Sequence, residues 1–233
     1  MTILLGVDCS TDPAKTGIAL GHLQGEGVCI DRSARGASWR SPASIILEWL
    51  QGRGDVLLAL DSPLGWPAKL GPSLAAHQAG APLDVDANTL FRRAADAEIK
   101  RRLGKQSLDV GADRIARTAV AALGLLETLR RETGRAIPMA WGPGDKREWR
   151  VIEVYPAATR RAYGVVDQGG VLDGFGAALD YAAVDLDACS VDEADACVCV
   201  LAAADFLLGR AMPPSDLELA RVEGWIWAPD PIG

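Results

Sequence analysis

Five acidic side chains stand where carboxylates could gather around a cation. Asp8 ends the apolar run Thr2-Ile3-Leu4-Leu5-Gly6-Val7, and Asp61 ends a second, Val56-Leu57-Leu58-Ala59-Leu60. Glu153 lies inside a third, Val151-Ile152-Glu153-Val154-Tyr155. Asp192 and Asp195 are three apart at the head of a very apolar stretch that runs from Ala196 through Ala204. Short apolar runs of the first three kinds read as buried strands. A carboxylate at a strand's end emerges at the sheet's edge, where several can converge. Clustered carboxylates repel and partly protonate unless a cation relieves them. Two divalent ions about 4 Å apart can activate water and stabilise the leaving oxygen in phosphodiester hydrolysis. That is the chemistry of a metal-dependent nuclease, and it needs no histidine base. The chain has only two histidines, His22 and His77, and no Cys-x-x-Cys pair, so oxygen ligands and hence Mg²⁺ or Mn²⁺ are expected.

Each acid also has a plainer role. Asp8 and Asp61 could be turn formers that bond their own backbone two residues on. Asp192 would be favoured in a first helical turn by the helix dipole alone. Asp195 is harder to dismiss, because its neighbours Ala194, Ala196, Cys197 and Val198 are apolar. An unpaired buried carboxylate costs several kcal/mol, so Asp195 needs an arginine or a metal. The spacing of three places it on one helix face with Asp192. Glu153 is either an edge residue or a site residue.

The elements that must position these groups follow from the pattern. Strands are expected at 3–8, 16–22, 27–31, 55–61 and 150–155, the second and third joined by the turn Gln24-Gly25-Glu26-Gly27. Ser41-Pro42 opens a helix to about Leu50, with serine as cap and proline in the first turn. Residues 66–90 are rich in proline, glycine and alanine and show little periodicity. Helices are expected from Phe91 to Arg102, from about Ala112 to Arg131 with Gly134 as its stop, and from Pro156 to Tyr163. Ser190-Val191-Asp192-Glu193 is a capping box that opens a helix to about Leu208. The segment from Glu223 to Pro229 reads as a short packed strand or tail.

This order of elements is that of the ribonuclease H-like fold, and the motifs carry a resemblance. Gly6-Val7-Asp8-Cys9 followed by Lys15-Thr16-Gly17, Leu60 through Gly65, Phe91-Arg92-Arg93 with Asp96, Glu153 through Ala157, Asp192 through Ala196 and Glu223 through Ile226 resemble the landmarks of domain-of-unknown-function family 429. That family is generally described as predicted ribonuclease H-like nucleases. The resemblance spans nearly the whole chain in the right order. It implies one domain over 1–233: an α/β fold with a mixed five-stranded sheet flanked by helices, and a largely helical insertion over about 66–148. The pattern also resembles the Holliday-junction resolvases of the same superfamily, which carry an aspartate on the first strand, an acid ending the fourth and two acids three apart on the final helix. By that resemblance Asp8, Asp61, Asp192 and Asp195 are metal ligands. Glu153 has no counterpart there and is either an extra ligand or a carboxylate that orients an arginine.

Composition bounds the rest. The chain has 233 residues and 49% hydrophobic content, enough for a substantial core. No apolar run reaches the length of a membrane span, and Met1-Thr2 leads straight into a strand with no basic region before it. The five cysteines are an odd number, and Cys9, Cys197 and Cys199 sit in apolar segments, which suits reduced thiols in the cytoplasm. The net charge of −7 is a poor overall footprint for nucleic acid. The stretch from Arg92 to Arg135 differs, with eleven Lys/Arg against six Asp/Glu. Lys15, Arg92, Arg93, Arg101 and Arg102 are therefore the candidates for phosphate contacts, a solvated helix face being the plainer reading of the arginine run. Two rival functions stand beside the nuclease. One is an actin-like or sugar-kinase-like phosphotransferase, for which Asp8-Cys9-Ser10-Thr11 would be a phosphate loop and the Gly-rich run from Asp167 to Gly176 an adenosine loop. The other is a non-catalytic binding protein with a vestigial site.

Overall fold

The structure is a computed structural model and describes residues 2–166, 168, 171–185 and 188–231. In chain order the elements are β1 (Ile3–Asp8), β2 (Gly17–Gln24), β3 (Gly27–Arg35), α1 (Pro42–Leu50), β4 (Val56–Asp61), α2 (Leu70–Leu74), α3 (Ala87–Phe91), α4 (Ala94–Leu103), α5 (Ile115–Thr133), β5 (Trp149–Glu153), α6 (Pro156–Ala162), β6 (Leu179–Asp180), α7 (Val191–Leu207) and α8 (Leu217–Glu223). The sheet order is β5-β4-β1-β2-β3-β6. β1, β2 and β3 form an antiparallel meander, and β4 and β5 add in parallel beside β1. This is the ribonuclease H-like arrangement that the element order implies. The expected five strands become six because the two residues of β6 pair in parallel with Val28 and Cys29 at the far edge. A two-residue strand after a glycine-rich stretch carries no periodicity that a sequence could show.

The central strands are buried on both faces, which is why they read as continuous Val/Leu/Ile runs. On one face Leu4, Ala19, Leu57, Ala59 and Ile152 pack under α7. On the other, Ile3, Leu5, Val7, Ile18, Leu20, Leu58 and Leu60 meet Ile45 and Ile46 of α1 and Leu126 and Leu129 of α5. α7 is apolar nearly all round, as a helix enclosed by protein must be. The sheet covers one side, and α6 and the C-terminal segment cover the other, with Phe206 edge-on to Trp227 at 4.7 Å. That segment runs beside β5, Trp227 N–H donating to the Glu153 carbonyl at 2.9 Å. The strand or tail expected after Glu223 is thus a bridge onto the β5 edge, preceded by the unanticipated α8.

The expected helix from Phe91 begins instead at Ala94, because Arg93 adopts extended backbone as the cap and the Asp96 carboxylate accepts from the Arg93 N–H at 3.0 Å. Residues 66–148 hold α2 to α5, and α5 stops at Gly134, whose φ of 66° is left-handed as the stop signal requires. Among the described residues no helix is long and apolar enough to cross a membrane.

Candidate functional site

β1 and β4 run parallel and in register, so that Asp8 and Asp61 are direct neighbours at their carboxyl ends. In open α/β sheets this end is where ligands bind. α7 brings two more acids to the same end, and two glycines allow its approach. A Cβ on Gly6 would lie 2.1 Å from the Ala196 carbonyl oxygen, and one on Gly17 1.9 Å from that of Asp192. Any side chain there would push the first turns of α7 off the sheet and carry Asp192 and Asp195 away from Asp8. The start of α7 is fixed by its capping box, Ser190 Oγ accepting from the Glu193 N–H at 3.2 Å while the Glu193 carboxylate accepts from the Ser190 N–H at 3.1 Å.

The electrostatics show that the four aspartates share one field. Burial pushes the Asp8 carboxyl up to about 9, helped by repulsion from Asp61, Asp195 and Asp192 and opposed by Arg160. Burial likewise pushes Asp61 up to about 8, with Asp195 and Glu153 adding and Arg160 opposing. Asp192 is raised mainly by burial, against the pull of Arg35, whose guanidinium is 3.9 Å away, and of Lys15. Asp195 is paired with Arg160 of α6 at 2.5 Å, and the Arg160 side chain is only 1% exposed. The sequence requirement that Asp195 have an arginine or a metal is met, in this structure, by an arginine. No three of these four acids bring oxygens within 4.8 Å of one another; among the described residues only His22, Cys29 and Asp31 form so tight a trio of potential ligands.

Glu153 ends β5 beside Leu60, and its surroundings differ. Its oxygens accept from Arg93 Nη1 at 2.8 Å and Nη2 at 2.7 Å, and from the Leu64 N–H at 3.0 Å. Arg93 also donates to Asp96 from Nε and Nη2, both at 3.1 Å, and from Nη1 to the Glu223 carbonyl at 3.2 Å. All five of its N–H donors are thereby spent inside the protein. The expectation of a phosphate contact from Arg93 gives way to a buried ion pair, for which a sequence offers no sign beyond an arginine next to a helix start. Of the two roles open to Glu153, the geometry supplies the arginine-orienting one.

The network includes a residue that sequence reasoning missed as functional. The Glu223 side chain accepts from the N–H groups of Ala68 at 2.8 Å and Ala94 at 2.8 Å, tying the helical segment to the C-terminal one. Gly224 follows with φ of 82°, and a Cβ there would meet Glu153 Oε2 at 2.8 Å. The Glu-Gly pair is therefore a buried cap and a clearance beside the ion pair. Arg160 was missed as well, since only its apolar neighbours Ala158 and Ala162 hint that its helix is buried. Asp205, deep in α7, is the third: Tyr163 Oη donates to it at 3.0 Å and Arg210 pairs with it at 2.9 Å, away from the other acids.

A cleft of about 550 Å³ opens over the carboxyl ends of β1, β4 and β5. Asp8, Asp61 and Glu153 lie on its wall, Ser10 and Lys15 on one rim, and Arg114 and Arg117 come from the start of α5. Asp192 and Asp195 are not among its lining residues. Arg92, Arg101 and Arg102 are not brought to it. Arg92 pairs with Asp109 at 2.9 Å, Arg101 with Glu98 at 2.5 Å, and Arg102 with Glu98 at 3.1 Å and Asp230 at 3.0 Å. Arg92 and Arg101 line a separate depression with Lys100. The proposed adenosine loop lies partly outside the described residues, at 167, 169 and 170.

The comparisons with known proteins give one family match and one solved structure. No curated protein matches the chain. Among solved structures, RuvC of T. thermophilus in complex with a Holliday junction substrate aligns with 92% of this chain and 100% of its own, at 12% identity and a TM-score of 0.36. The family model described as "Protein of unknown function (DUF429)" matches residues 6–169, more than half of the chain. By that match the chain belongs to the DUF429 family.

Proposed function

We propose that this protein is a Mg²⁺- or Mn²⁺-dependent hydrolase of phosphodiester bonds in nucleic acid. The observation that carries the proposal is the pairing of Asp8 with Asp61 at the mouth of the cleft, both far above the ordinary carboxylate range and both in the field of Asp195. Two neighbouring carboxylates backed by further acids are short of positive charge, and a divalent ion supplies it. The donors are all oxygens, which suits Mg²⁺ or Mn²⁺ rather than zinc. Asp8 and Asp61 would hold an ion directly, with Asp195 and Asp192 completing the set from α7. Bound there, such ions supply water activation and stabilisation of the leaving oxygen.

The chain's own groups supply position and charge. Lys15, Arg114 and Arg117 on the cleft rim would take the phosphates on either side of the scissile bond. Arg160 fixes the direction of Asp195. Glu153 and Arg93 act as a strut that holds the ends of β5 and α4 together beneath the cleft. In this proposal the chain is a single ribonuclease H-like domain whose insertion over 66–148 builds one wall of the cleft. Its five cysteines are free thiols, as in a protein of the reducing cytoplasm.

The test is cleavage of end-labelled single strands, duplexes and four-way junctions of DNA and RNA, with Mn²⁺, Mg²⁺ or chelator. Cleavage that needs metal and falls by at least 100-fold in Asp8→Asn and Asp61→Asn, on the order of a lost metal ligand, supports the proposal. Absence of cleavage of every substrate, with the metal bound, favours the non-catalytic alternative. Hydrolysis of ATP with phosphate transfer favours the phosphotransferase.

A further inference from the structure

The β2–β3 hairpin carries a second set of metal-type donors at the opposite end of the sheet from the aspartates. Asp8 pairs with Gly17 at one end of β1, and Ile3 pairs with His22 at the other. Five residue steps along a strand separate the two places, about 17 Å at 3.4 Å per residue. His22 is the direct cross-strand partner of Cys29, and Cys29 is in turn the partner of Asp180 on β6. Register partners project from the same face. Asp31 lies two residues beyond Cys29 and so shares that face.

A further feature turns Asp31 toward His22. The β2–β3 pairing jumps from Gly21↔Ile30 to Leu20↔Arg32, which leaves Asp31 as the extra residue of a β-bulge. Bulges redirect the side chain at the extra position. Here His22 Nδ1 lies 3.1 Å from Asp31 Oδ1 and 3.2 Å from Oδ2. One ligand atom each from His22, Cys29 and Asp31 falls within 4.8 Å of the others. Asp180, the register partner of Cys29 on β6, sets a second carboxylate beside the thiol, and its charge helps hold that thiol above its ordinary value after burial.

We propose that His22, Cys29 and Asp31 bind a thiophilic divalent cation of the zinc type, with Asp180 or a water as fourth donor. Tetrahedral zinc with nitrogen, sulfur and oxygen ligands holds them about 3.3–3.6 Å apart. From the 4.8 Å bound the trio needs to contract by at most about 1.5 Å to reach that spacing. One imidazole, one thiolate and one carboxylate match zinc's borderline softness and suit Mg²⁺ or Mn²⁺ poorly. A His–Asp ion pair alone would account for the closeness of two members, but not for a thiol set between that pair and a second carboxylate. A dication offsets two of the three negative charges of the thiolate and both carboxylates. The side chains of His22 and Asp31 are 26% and 35% exposed, so an ion can enter from solvent. The consequence is structural: through Asp180 the ion would clamp β6, on the segment that leads into α7, to the hairpin. The site is independent of the aspartates and of the activity proposed for them.

The experiment is a Co²⁺ titration of the whole protein under reducing conditions, followed by displacement with Zn²⁺. A sulfur-to-cobalt charge-transfer band that saturates at one equivalent and is removed by Zn²⁺ is expected. The band should vanish in Cys29→Ser, and affinity should fall at least 10-fold in His22→Ala and Asp31→Asn. It should persist unchanged in the Asp8→Asn/Asp61→Asn double variant. All three hairpin positions are at least partly exposed, so the variants should fold, which circular dichroism checks. Absence of the band in the wild type, or its survival in Cys29→Ser, overturns the proposal.

Discussion

Replacing Arg93 with methionine keeps the aliphatic stem and deletes the guanidinium. In the native fold that group makes two contacts to Glu153, at 2.8 and 2.7 Å, and two to Asp96, both at 3.1 Å. The side chains of Glu153 and Asp96 are 2% and 1% exposed, so neither can turn to solvent. Removing one partner of a buried ion pair costs about 3–5 kcal/mol through the charge left behind. Here two carboxylates lose the partner, but Asp96 keeps the hydroxyl of Ser107 at 2.8 Å and Glu153 keeps the Leu64 N–H at 3.0 Å. About 4–5 kcal/mol at neutral pH is therefore expected. For a chain of 150–250 residues this lowers the melting temperature by about 10–20 °C. The loss should depend on pH with a definite sign. Burial already raises the Glu153 carboxyl above its ordinary value, and without Arg93 opposing, it rises further. A raised carboxyl stabilises the fold below its unfolded pKa and loses that contribution as pH rises through its folded one. The deficit should therefore shrink toward about pH 5 and widen toward about pH 8. The Arg93→Met/Glu153→Gln double variant should recover part of the loss as a coupling energy. The assay is thermal melting by circular dichroism of the single and double variants at both pH values. A loss below about 1 kcal/mol, or one that is the same at both pH values, would refute the buried-strut account and return Arg93 to the set of phosphate contacts.

Two further outcomes follow from the cleft. The carboxyls of Asp8 and Asp61 are raised to about 9 and about 8 from an ordinary 3.8, so the folded protein holds protons that the unfolded chain has released. Relative to the Asp8→Asn/Asp61→Asn variant, the wild type in chelator should lose melting temperature as pH rises from roughly 5 to 9, and Mn²⁺ should abolish the loss; a rise instead would show that the pair is already compensated. Arg114→Glu combined with Arg117→Glu should weaken nucleic-acid binding and lower its salt slope by about 2, whereas Arg101→Glu with Arg102→Glu should change little. Equal effects from both pairs, read by fluorescence anisotropy across a salt series, would place the binding surface elsewhere.

Much of the frame was legible in the sequence because buried parallel strands and capped helices leave strong local marks. The runs ending at Asp8 and Asp61 and the box at Ser190–Glu193 needed no tertiary information. The two-residue β6 left none, because only its pairing with β3 makes it a strand. The convergence of Asp8, Asp61, Asp192 and Asp195 was readable as four strand-end and helix-start positions. The partners of the acids were not. Arg160 and Arg93 act through contacts 35 and 60 residues away in sequence, and no spacing rule connects them. The basic run misled for a related reason. Arg101 and Arg102 are paired locally with Glu98, and it is Arg114 and Arg117, at the start of α5, that face the cleft.

The central claim is that Asp8, Asp61 and their neighbours on α7 form a site completed by a divalent ion. Isothermal titration with Mn²⁺ tests it most directly, because Mn²⁺ prefers oxygen donors and so avoids the Cys29 site. The wild type should bind one or two ions, with affinity falling at least 10-fold in Asp61→Asn and in Asp195→Asn and unchanged in Glu153→Gln. No Mn²⁺ binding by the wild type, or binding that survives Asp61→Asn and is lost in Glu153→Gln, would contradict it.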